Sequence, residues 1–569
     1  MRNPKKSSLK MKPQEVVQII PLGGLEEIGR NMTLIEYQNQ ILIIDMGLQF
    51  PDENTPGIDF IIPNIEYLKT HPEKKILGIL ITHAHYDHIG AIPYLAPQLN
   101  YPTIYATPLA KAIILKRQED FPYLKKLDIQ NLDINQDKPL ILGPFKIKTF
   151  HLNHNIPETI GFAIETPVGK IIYATDYKFD FQPIADIPAD LNRIADISSD
   201  GTTLLLSDST NVEMTGHSLS ETVIMENLDS IFAKAKGRII IATFASLISR
   251  LQQAITLSEK YKRKVIVEGF TMKTDLFIAQ KLNYIQSAKD TLLSVKEMHR
   301  LNPDQITILC TGAQGESEAT LMKIASKEHK NLKIQKGDTV IFSSSIVPGN
   351  EITVQALKDS LAKQGAIIYH YKMLDIHASG HGYQEDLKMM ISLTKPNFFM
   401  PIHGHYSKLK THAQLAESLN IPTSNIVTAT NGQIIELYKN KIVATEKFVP
   451  TNYVMVDGLG VGDISEIVLR DRQILAQDGI FVIIALIDKR TNLLIKEAEV
   501  VSRGFVYMKE SKDLINETKK QIQNIVSHLA KEQIVNDSYL RNTLKEEIGM
   551  FLFKRTKRRP MVLPIIIRV

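Results

Sequence analysis

Residues 83–88, His-Ala-His-Tyr-Asp-His, place four metal-binding side chains within six positions. They follow the apolar run ILGILIT, which predicts a buried strand. Imidazole and carboxylate groups at this density suit zinc, which takes nitrogen and oxygen ligands. The spacing lets a loop at a strand end direct His83 and His85 to one ion, and Asp87 and His88 to a second. The alternative, a solvent-exposed polar loop, does not account for so many ligand-type residues.

Three further candidate ligands stand at the ends of other predicted strands. His154 follows FKIKTFHLN, Asp176 follows KIIYAT, and His403 follows NFFMPI. Taken singly, each histidine is better explained by a structural hydrogen bond, and Asp176 could be a turn residue. Together the two sets make seven candidate ligands, which fill two metal sites and leave a bridging position for water. Such two-metal sites bind the attacking and leaving oxygens of a phosphodiester displacement.

The segment HASGHG at residues 377–382 offers groups that can bind phosphate. It provides a hydroxyl, backbone N–H groups and two imidazoles. His381 could also protonate a departing 3′ oxygen, which is a general-acid role. The residues expected to contact substrate here are His377, Ala378, Ser379, Gly380 and His381.

A serine run ends another predicted strand at Ser344 and Ser345. Parallel-sheet proteins collect ligands at such strand ends. Turn chemistry explains a serine run by itself, but a neighbouring HASGHG segment favours a phosphate pocket.

The elements that position these residues change character along the chain. Between Val16 and Tyr177, short apolar runs alternate with Gly, Pro and Asn, which indicates a β-sandwich with helices outside. From about residue 223 to 385, strand-like runs alternate with helical stretches, which is typical of a parallel sheet with crossover helices. Ser218 and Glu221 suggest a capping box for the first of these helices.

After residue 385 the sequence again shows the short apolar runs of the first region. The second domain is therefore predicted to be an insertion into the first. The stretch TNYVMVDGLGVGDIS, rich in Gly and Asp, is interpreted as a linker. Beyond it the sequence predicts strands around IFVIIALID and LIKEAEVVSRGFV, two helices, and a last strand MVLPIIIRV.

Composition and charge set the broad class of protein. A chain of 569 residues exceeds what one core usually organises, and 44% hydrophobic with 23% charged residues is ordinary for a soluble protein. The single Cys310 excludes an intramolecular disulfide, the longest apolar runs are too short to cross a bilayer, and a cytoplasmic location without membrane contact is expected. The net charge is only +5, but basic residues cluster at both ends of the chain and could attract a phosphate backbone or simply be solvated. They are Arg2, Lys5, Lys6, Lys10 and Lys12, and then Lys554, Arg555, Lys557, Arg558 and Arg559.

These motifs in combination resemble the metallo-β-lactamase superfamily, and within it the β-CASP branch of nucleic-acid-processing enzymes. HAHYDH with the later His154, Asp176 and His403 matches the superfamily pattern. The segments SDSTN (207–211), HASGHG and PIHG resemble the three motifs of the branch. The opening PLGGLEEIGRNM, TFAS (243–246), FSSSIVPGNE (342–351) and the small terminal domain make nearly the whole chain similar to the ribonuclease J family.

The resemblance implies a ligand set. His83, His85 and His154 would hold one zinc ion, Asp87, His88 and His403 the other, with Asp176 bridging. Two cations and a bridging carboxylate lower the pKa of a shared water, and Asp87 could accept its proton. Asp208 would orient an imidazole that binds metal, although a structural turn also explains it. The TFAS loop would add Phe244, Ala245 and Ser246 to the substrate contacts. One departure is His405, which stands where many relatives have an acid.

The implied fold is α/β: a metallo-β-lactamase αββα sandwich, an inserted β-CASP parallel-sheet α/β domain and a small α+β C-terminal domain. The expected boundaries are a basic N-terminal tail (1–15), the metallo-β-lactamase domain in two parts (16–222 and 386–450), the β-CASP domain (223–385), a linker (451–474) and the C-terminal domain (475–569).

The implied function is a ribonuclease of RNA maturation and decay, including rRNA processing and mRNA decay. It would use two Zn²⁺ per chain, with Mn²⁺ or Mg²⁺ as supporting ions. It would act 5′-to-3′ as an exonuclease that prefers a 5′ monophosphate, and also as an endonuclease. Implied partners are RNA, further copies of the chain in a homodimer or homotetramer, and an RNA helicase or other degradation-complex proteins.

Three alternatives stay open. A hydrolase of small thioesters or lactams would share HAHYDH but would not need a helix-rich insertion. A β-CASP endonuclease of the RNA 3′-end-processing or DNA-directed type would share the insertion, whereas the form HASGHG and the terminal domain favour ribonuclease J. An RNA-binding scaffold would have no use for seven ligands.

Overall fold

The computed structural model describes residues 15–51, 55–316, 318–347, 349–458, 460–462, 466–506, 511–531 and 536–569. The predicted basic tail, apart from Glu15, lies outside the described residues. Spatial contacts divide the chain into two compact units. The first runs up to Gln49 and from Ile62 to Tyr453, and the second joins Phe50–Ile61 to Val454–Val569.

The first part of the chain is rich in strands, as its apolar runs predict. Its strands are β1 (Val17–Gly23), β2 (Met32–Tyr37), β3 (Gln40–Ile44), β4 (Phe60–Ile62), β5 (Lys75–Leu80), β6 (Ile104–Ala106), β7 (Ile129–Asn131), β8 (Leu140–Leu142), β9 (Phe145–His151), β10 (Ile160–Thr166), β11 (Gly169–Ala174) and β12 (Thr202–Asp208). Its helices are α1 (Glu66–Thr70), α2 (Tyr86–Ile89), α3 (Ile92–Leu95), α4 (Pro108–Gln118) and α5 (Leu191–Ser198).

The middle region alternates helices and strands. Its elements are α6 (Glu221–Lys234), β13 (Ile239–Ala242), α7 (Ile248–Lys260), β14 (Lys264–Glu268), α8 (Phe270–Lys281), β15 (Leu292–Leu293), β16 (Ile306–Cys310), α9 (Thr320–Ala325), β17 (Thr339–Phe342), α10 (Glu351–Lys363) and β18 (Ile367–His370). The strands form one parallel sheet in the order β15-β14-β16-β13-β17-β18. Central strands such as β13 are buried along their whole length, which explains their unbroken apolar sequences.

The chain then returns to the first region, as predicted. The returning elements are α11 (Gln384–Thr394), β19 (Pro396–Ile402), α12 (Tyr406–Ser418), β20 (Gln433–Leu437) and β21 (Ile442–Phe448). They complete two sheets, with orders β21-β20-β1-β2-β3-β5-β6-β7 and β19-β12-β11-β10-β9-β8. A shared core that includes Ile35, Phe162 and Met400 lies between them. The insertion of one domain into the other is therefore confirmed.

The second unit holds the C-terminal elements, of which the sequence predicts the last three strands and the last two helices. They are β22 (Val454–Asp457), β23 (Gly460–Val461), α13 (Glu466–Gln477), β24 (Ile480–Ile487), β25 (Glu499–Arg503), α14 (Lys512–Lys531), α15 (Asp537–Thr556) and β26 (Met561–Arg568). The sheet β25-β24-β26 packs one face on α14 and α15 through a core that includes Phe481, Ile522 and Leu544. Short 3₁₀ turns elsewhere cover Pro97–Leu99, Val295–Arg300, Pro303–Gln305 and Thr423–Asn425.

The linker interpretation of residues 451–474 is wrong. Strands β22 and β23 pair with β4, and helix α13 begins within the stretch. The Gly and Asp content suggested flexibility, but the apolar residues are buried against a distant segment. Leu469 packs with Ile58 and Ile61, and the Asp59 N–H donates to the Val456 carbonyl at 2.9 Å.

The capping box predicted from Ser218 and Glu221 is also wrong by two residues. Helix α6 begins at Glu221, and its N-cap is Ser220, whose Oγ accepts from the Thr222 N–H at 3.2 Å. Ser218 instead donates its backbone N–H to the Asp386 carboxylate at 2.8 Å. Two serines precede the helix, and only the tertiary contact distinguishes them.

No helix among the described residues is long and apolar enough to span a membrane.

Gly47 shows how tightly the fold holds the HAHYDH segment. Residues after β3 run beside it, with the Leu48 N–H donating to the Tyr86 carbonyl at 3.0 Å and the Met46 N–H to the His88 carbonyl at 2.7 Å. A Cβ on Gly47 would lie 1.6 Å from the Asp87 carbonyl oxygen, so the two segments could not approach as they do.

We predict that Gly47→Ala lowers the melting temperature by several degrees and weakens zinc binding, because overpacking costs about 1–3 kcal/mol and here displaces candidate ligands. Gly549→Ala is the matched control, since the nearest atom to its added Cβ is 3.9 Å away. Thermal unfolding with and without zinc measures both. If the Gly47→Ala protein has the same melting temperature as the control, with and without zinc, the close approach at Gly47 does not support the HAHYDH segment.

Candidate metal centre

The HAHYDH segment is fixed by a carboxylate that follows the neighbouring strand. Asp45, directly after β3, is fully buried and has a φ of 60°. Its two carboxylate oxygens accept from the backbone N–H and the hydroxyl of Thr82, each at 2.8 Å. Thr82 immediately precedes His83, so this contact sets where the loop leaves β5.

Four of the predicted ligands form one group of nitrogen and oxygen atoms. The His85 Nδ1 atom lies 3.1 Å from both the His83 Nε2 and the His154 Nε2 atoms. Asp176 Oδ2 lies 3.7 Å from each of those two Nε2 atoms. All four ligand atoms fall within 4.8 Å of one another, a spacing that one ion could bridge.

A second group shares the same aspartate. His88 Nε2 lies 3.5 Å from Asp87 Oδ2 and 3.4 Å from Asp176 Oδ2. His403 lies 3.6 Å from Asp87 through Nε2 and 3.4 Å from Asp176 through Nδ1. The structure therefore brings together all seven residues that the sequence selected, with Asp176 common to both groups.

Most of the histidines are oriented by a partner on one ring nitrogen. His88 Nδ1 lies 2.8 Å from Asp45 Oδ2, His154 Nδ1 lies 2.7 Å from the Gly380 carbonyl, and His403 Nδ1 lies 2.8 Å from Thr210 Oγ1. The Nε2 atom of each ring remains directed at the centre. Fixing one nitrogen in this way is what metal-binding histidines require of their surroundings.

The pKa values of the candidate ligand histidines shift in opposite directions in the two groups. Burial lowers the pKa of His85 to about 4 and holds the pKa of His83 and His154 well below the usual value, so these rings are neutral and free to bind metal. Burial also opposes the charging of His403, but the nearby Asp176, Asp208 and Asp87 carboxylates outweigh it and raise the pKa of His403 to about 10.

The residues fit a pair of divalent cations. The His403 Nε2 atom is buried and has no hydrogen-bond partner among the described residues, a costly state for a polar atom that faces no ligand. The donors are imidazole nitrogens and carboxylate oxygens, which is the set that zinc prefers.

Asp208 and His381 form a pair beside the centre. His381 Nδ1 lies 2.7 Å from Asp208 Oδ2, and its Nε2 lies 3.9 Å from Asp176 Oδ2. Asp208 Oδ1 also lies 3.4 Å from His403 Nδ1. Asp208 thus contacts the imidazoles of both a candidate ligand and the candidate general acid.

The expected substrate-contact loops meet near the centre. The Gly380 carbonyl binds His154, and a Cβ on Gly380 would lie 2.5 Å from that ring, so glycine permits the close approach. The Ser343 hydroxyl, at the end of β17, donates to the Ile376 carbonyl at 2.6 Å, just before His377 and Ala378. The TFAS loop joins the same region, because the Thr243 hydroxyl donates to the Ser343 carbonyl at 3.0 Å. It contains Phe244, Ala245 and Ser246.

Sequence reasoning missed several residues that hold the site. Asp45 orients His88, Asn211 donates to the Ser379 hydroxyl at 2.6 Å, and Gln314 donates to Ser344 Oγ at 3.3 Å and to the Ser345 carbonyl at 2.5 Å. An acid directly after the apolar run QILII was a usable signal for Asp45. His405, the departure from the family pattern, is exposed and lies 3.3 Å from the Glu26 carbonyl through Nδ1.

Four family models match successive parts of the chain, and full-length relatives match nearly all of it. The family description "Ribonuclease J, beta-CASP domain" matches residues 236–361, and "Ribonuclease J C-terminal domain" matches 467–569. A "Beta-lactamase superfamily domain" matches 56–217, and a "Zn-dependent metallo-hydrolase RNA specificity domain" matches 370–425. "Ribonuclease J 1" of Streptococcus pyogenes is 39% identical over 99% of both chains. The chain belongs to the ribonuclease J family.

Two further ribonuclease J proteins have similar coverage. "Ribonuclease J2" of Bacillus subtilis is 36% identical over 99% of this chain and 100% of its own. "Ribonuclease J 2" of Staphylococcus aureus strain MRSA252 is 35% identical over 98% and 99%. A crystal structure of a protein of unknown function from Enterococcus faecalis shares the fold, with a TM-score of 0.53 over 74% of this chain and 100% of that one, at 16% identity. As a ribonuclease J family member, the chain is a metal-dependent nuclease of the hydrolase class.

We predict that Asp45→Ala weakens zinc affinity about ten- to a hundredfold, because His88 loses the carboxylate that fixes its ring. Competition with a chelator measures the affinity. The exposed Asp290→Ala variant is the control for loss of one negative charge. Equal zinc affinities in the two variants would show that Asp45 does not support the centre.

Proposed function

We propose that the protein is a zinc-dependent ribonuclease that degrades RNA from a 5′ monophosphate end and also cuts internally. The observation that carries the proposal is that the seven clustered candidate ligands adjoin the HASGHG loop, whose Gly380 carbonyl contacts His154. The Ser343 hydroxyl bonds the Ile376 carbonyl just before this loop. The names of the related proteins support RNA as the substrate.

The proposed ligands are assigned to two zinc ions according to the two groups of ligand atoms. His83, His85 and His154 would hold one zinc ion, Asp87, His88 and His403 a second, and Asp176 both. Bound there, the ions supply Lewis acidity that favours attack by water on a phosphodiester and stabilises the developing charge. Asp87 is the most exposed carboxylate of the centre, with its side chain 28% accessible, and so is placed to take the proton of the attacking water.

His381 is the proposed general acid for the departing 3′ oxygen. Burial disfavours its charged form, but the Asp208 and Asp176 carboxylates outweigh burial and raise the pKa of His381. Its Nδ1 is engaged by Asp208 at 2.7 Å, so the Nε2–H faces the centre. A protonated ring held in one orientation meets the requirement for donating a proton to a leaving group.

The proposed end-recognition pocket depends on hydroxyls whose lone pairs are already engaged. Ser379 Oγ accepts from Asn211 Nδ2 at 2.6 Å and from the His381 N–H at 3.3 Å, so its own O–H can be donated to a phosphate oxygen. Ser344 Oγ accepts from Gln314 in the same way. His377, the TFAS loop and Ser345 are proposed to complete the contacts.

A monophosphate is compact and doubly charged, so hydroxyl and N–H donors can surround it. A triphosphate would overfill such a pocket, and a 5′ hydroxyl would leave its donors unpaired. Unpaired buried donors cost about 1–3 kcal/mol, which corresponds to roughly ten- to a hundredfold discrimination.

We predict that the protein degrades 5′-monophosphate RNA at least about tenfold faster than RNA with a 5′ hydroxyl or triphosphate. Ser379→Ala should reduce this preference more than it slows internal cleavage, because it removes one phosphate donor and no candidate ligand. End-labelled RNAs that differ only at the 5′ end, resolved by product size, measure both rates. Equal rates of the unmutated enzyme on all three ends would refute the pocket but not the metal centre.

We also propose that the C-terminal unit joins copies of the chain. The outward face of its sheet β25-β24-β26 is apolar, with Val501, Leu563, Ile565 and Ile567 each 40–46% exposed. Such an apolar face is unfavourable in water and is typical of a protein–protein contact.

Ile565→Lys with Ile567→Lys should therefore lower the molecular mass of the particle measured by light scattering. Glu546→Lys, at an exposed position of α15, changes the charge by the same amount and serves as the control. An unchanged mass in the sheet variant would count against this interface.

A further inference from the structure

Helix α8 of the inserted domain carries exposed aromatic and basic side chains on one face. Phe270 is 80% exposed and Phe277 is 58% exposed, and both Lys273 and Lys281 are exposed. At 3.6 residues per turn, these four positions fall within an arc of about 80°, and the two rings are about 10 Å apart along the axis. Large aromatic groups so open to water are unusual for a helix whose other side lies in a core.

The helix itself is held rigidly. Its opposite side buries Met272, Leu276 and Ala279. Just beyond its end, the Tyr284 hydroxyl donates to Glu158 Oε1 at 2.5 Å, which ties α8 to the surrounding domain. The aromatic–lysine face is therefore a fixed surface.

This face begins at the edge of the sheet where the substrate loops lie. The ends of four strands are in register, because Cys310 pairs with both Glu268 and Ala242, and Ala242 pairs with Phe342. TFAS and the serine run leave from two of these strands, and Gly269 leaves from β14. Strands β14 and β17 are three positions apart, or about 14 Å.

Gly269 explains how an aromatic side chain reaches that edge. Its φ of +108° turns the chain so that α8 starts at the next residue, Phe270. An added Cβ would lie 3.1 Å from Thr320 Oγ1 and 3.3 Å from Thr311 Oγ1. Glycine therefore suits this position both in backbone conformation and in size.

We propose that this face of α8 is a stacking platform for the bases of single-stranded RNA that extends from the cleavage site. Every base has a π-face, so aromatic side chains bind single strands without sequence preference, while lysines attract the backbone. Lys281 Nζ lies 4.6 Å from the centre of the Phe277 ring, so one cation stands beside a ring. Lys273 is exposed on the same face and pairs with Glu268 at 3.0 Å. An apolar protein surface would pack on aromatic rings but would not favour lysines among them, whereas RNA favours both.

The inference rests on RNA being the substrate, but not on the proposed 5′-end preference. Binding is measured with the zinc-loaded protein and a phosphorothioate-linked single-stranded RNA that carries 2-aminopurine. The chain contains no tryptophan, so the fluorescence of the probe is read without interference. Stacking quenches this probe, whereas contacts to phosphate alone do not.

Phe270→Leu with Phe277→Leu keeps apolar bulk but removes the rings. We predict about tenfold weaker binding of the long RNA and loss of most of the quenching, with cleavage of a trinucleotide unchanged. Phe270→Tyr with Phe277→Tyr keeps the rings and should bind within about twofold of the unmutated protein. Phe448→Leu is the control, since that ring is 59% exposed on β21, outside α8.

Unchanged long-RNA binding in the leucine variant would overturn the platform, as would equal losses in the leucine and tyrosine variants. A lowered particle mass with unchanged RNA binding would replace it with a protein interface. If the unmutated protein binds the phosphorothioate RNA and quenches its probe but does not cleave unmodified RNA, the proposed function fails and the platform stands.

Discussion

The Asp176 carboxylate is buried among imidazole rings, and groups that the fold brings to it must balance its negative charge. Asp176 is 2% exposed and lies within 3.4–3.7 Å of nitrogens from His83, His88, His154 and His403. An ionised carboxylate in such a place is stable only when positive charge surrounds it. Bound cations can supply that charge, and the imidazole and carboxylate groups around Asp176 are of the type that divalent metal ions prefer.

The fold assembles this centre by ending strands of two sheets at one place. Asp176 and His403 follow β11 and β19 of one sheet, and Asp45 and the HAHYDH segment follow β3 and β5 of the other. Positive φ angles at Asp45, Asp176 and His403 turn the chain immediately after each strand. A positive φ is uncommon for residues other than glycine, and at these three positions the side chain is buried and held by its neighbours.

Much of this arrangement could be predicted from the sequence, because ligand-type residues directly after apolar runs mark strand ends. The inserted domain and its parallel sheet could also be predicted, from the changes in the spacing of apolar residues along the chain. Asn211 and Gln314, which act through tertiary hydrogen bonds, could not be predicted, since nothing local distinguishes them from ordinary polar residues. The linker and the N-cap of α6 were wrong for the same reason: Leu469 and Ser220 take their roles from partners far away in the chain.

We propose that two zinc ions share Asp176. Anomalous scattering from crystals of the zinc-loaded protein would locate the ions. We expect two peaks about 3.5–4 Å apart, one on each side of the Asp176 carboxylate. A single peak, or two peaks of which one lies away from Asp176, would refute the sharing.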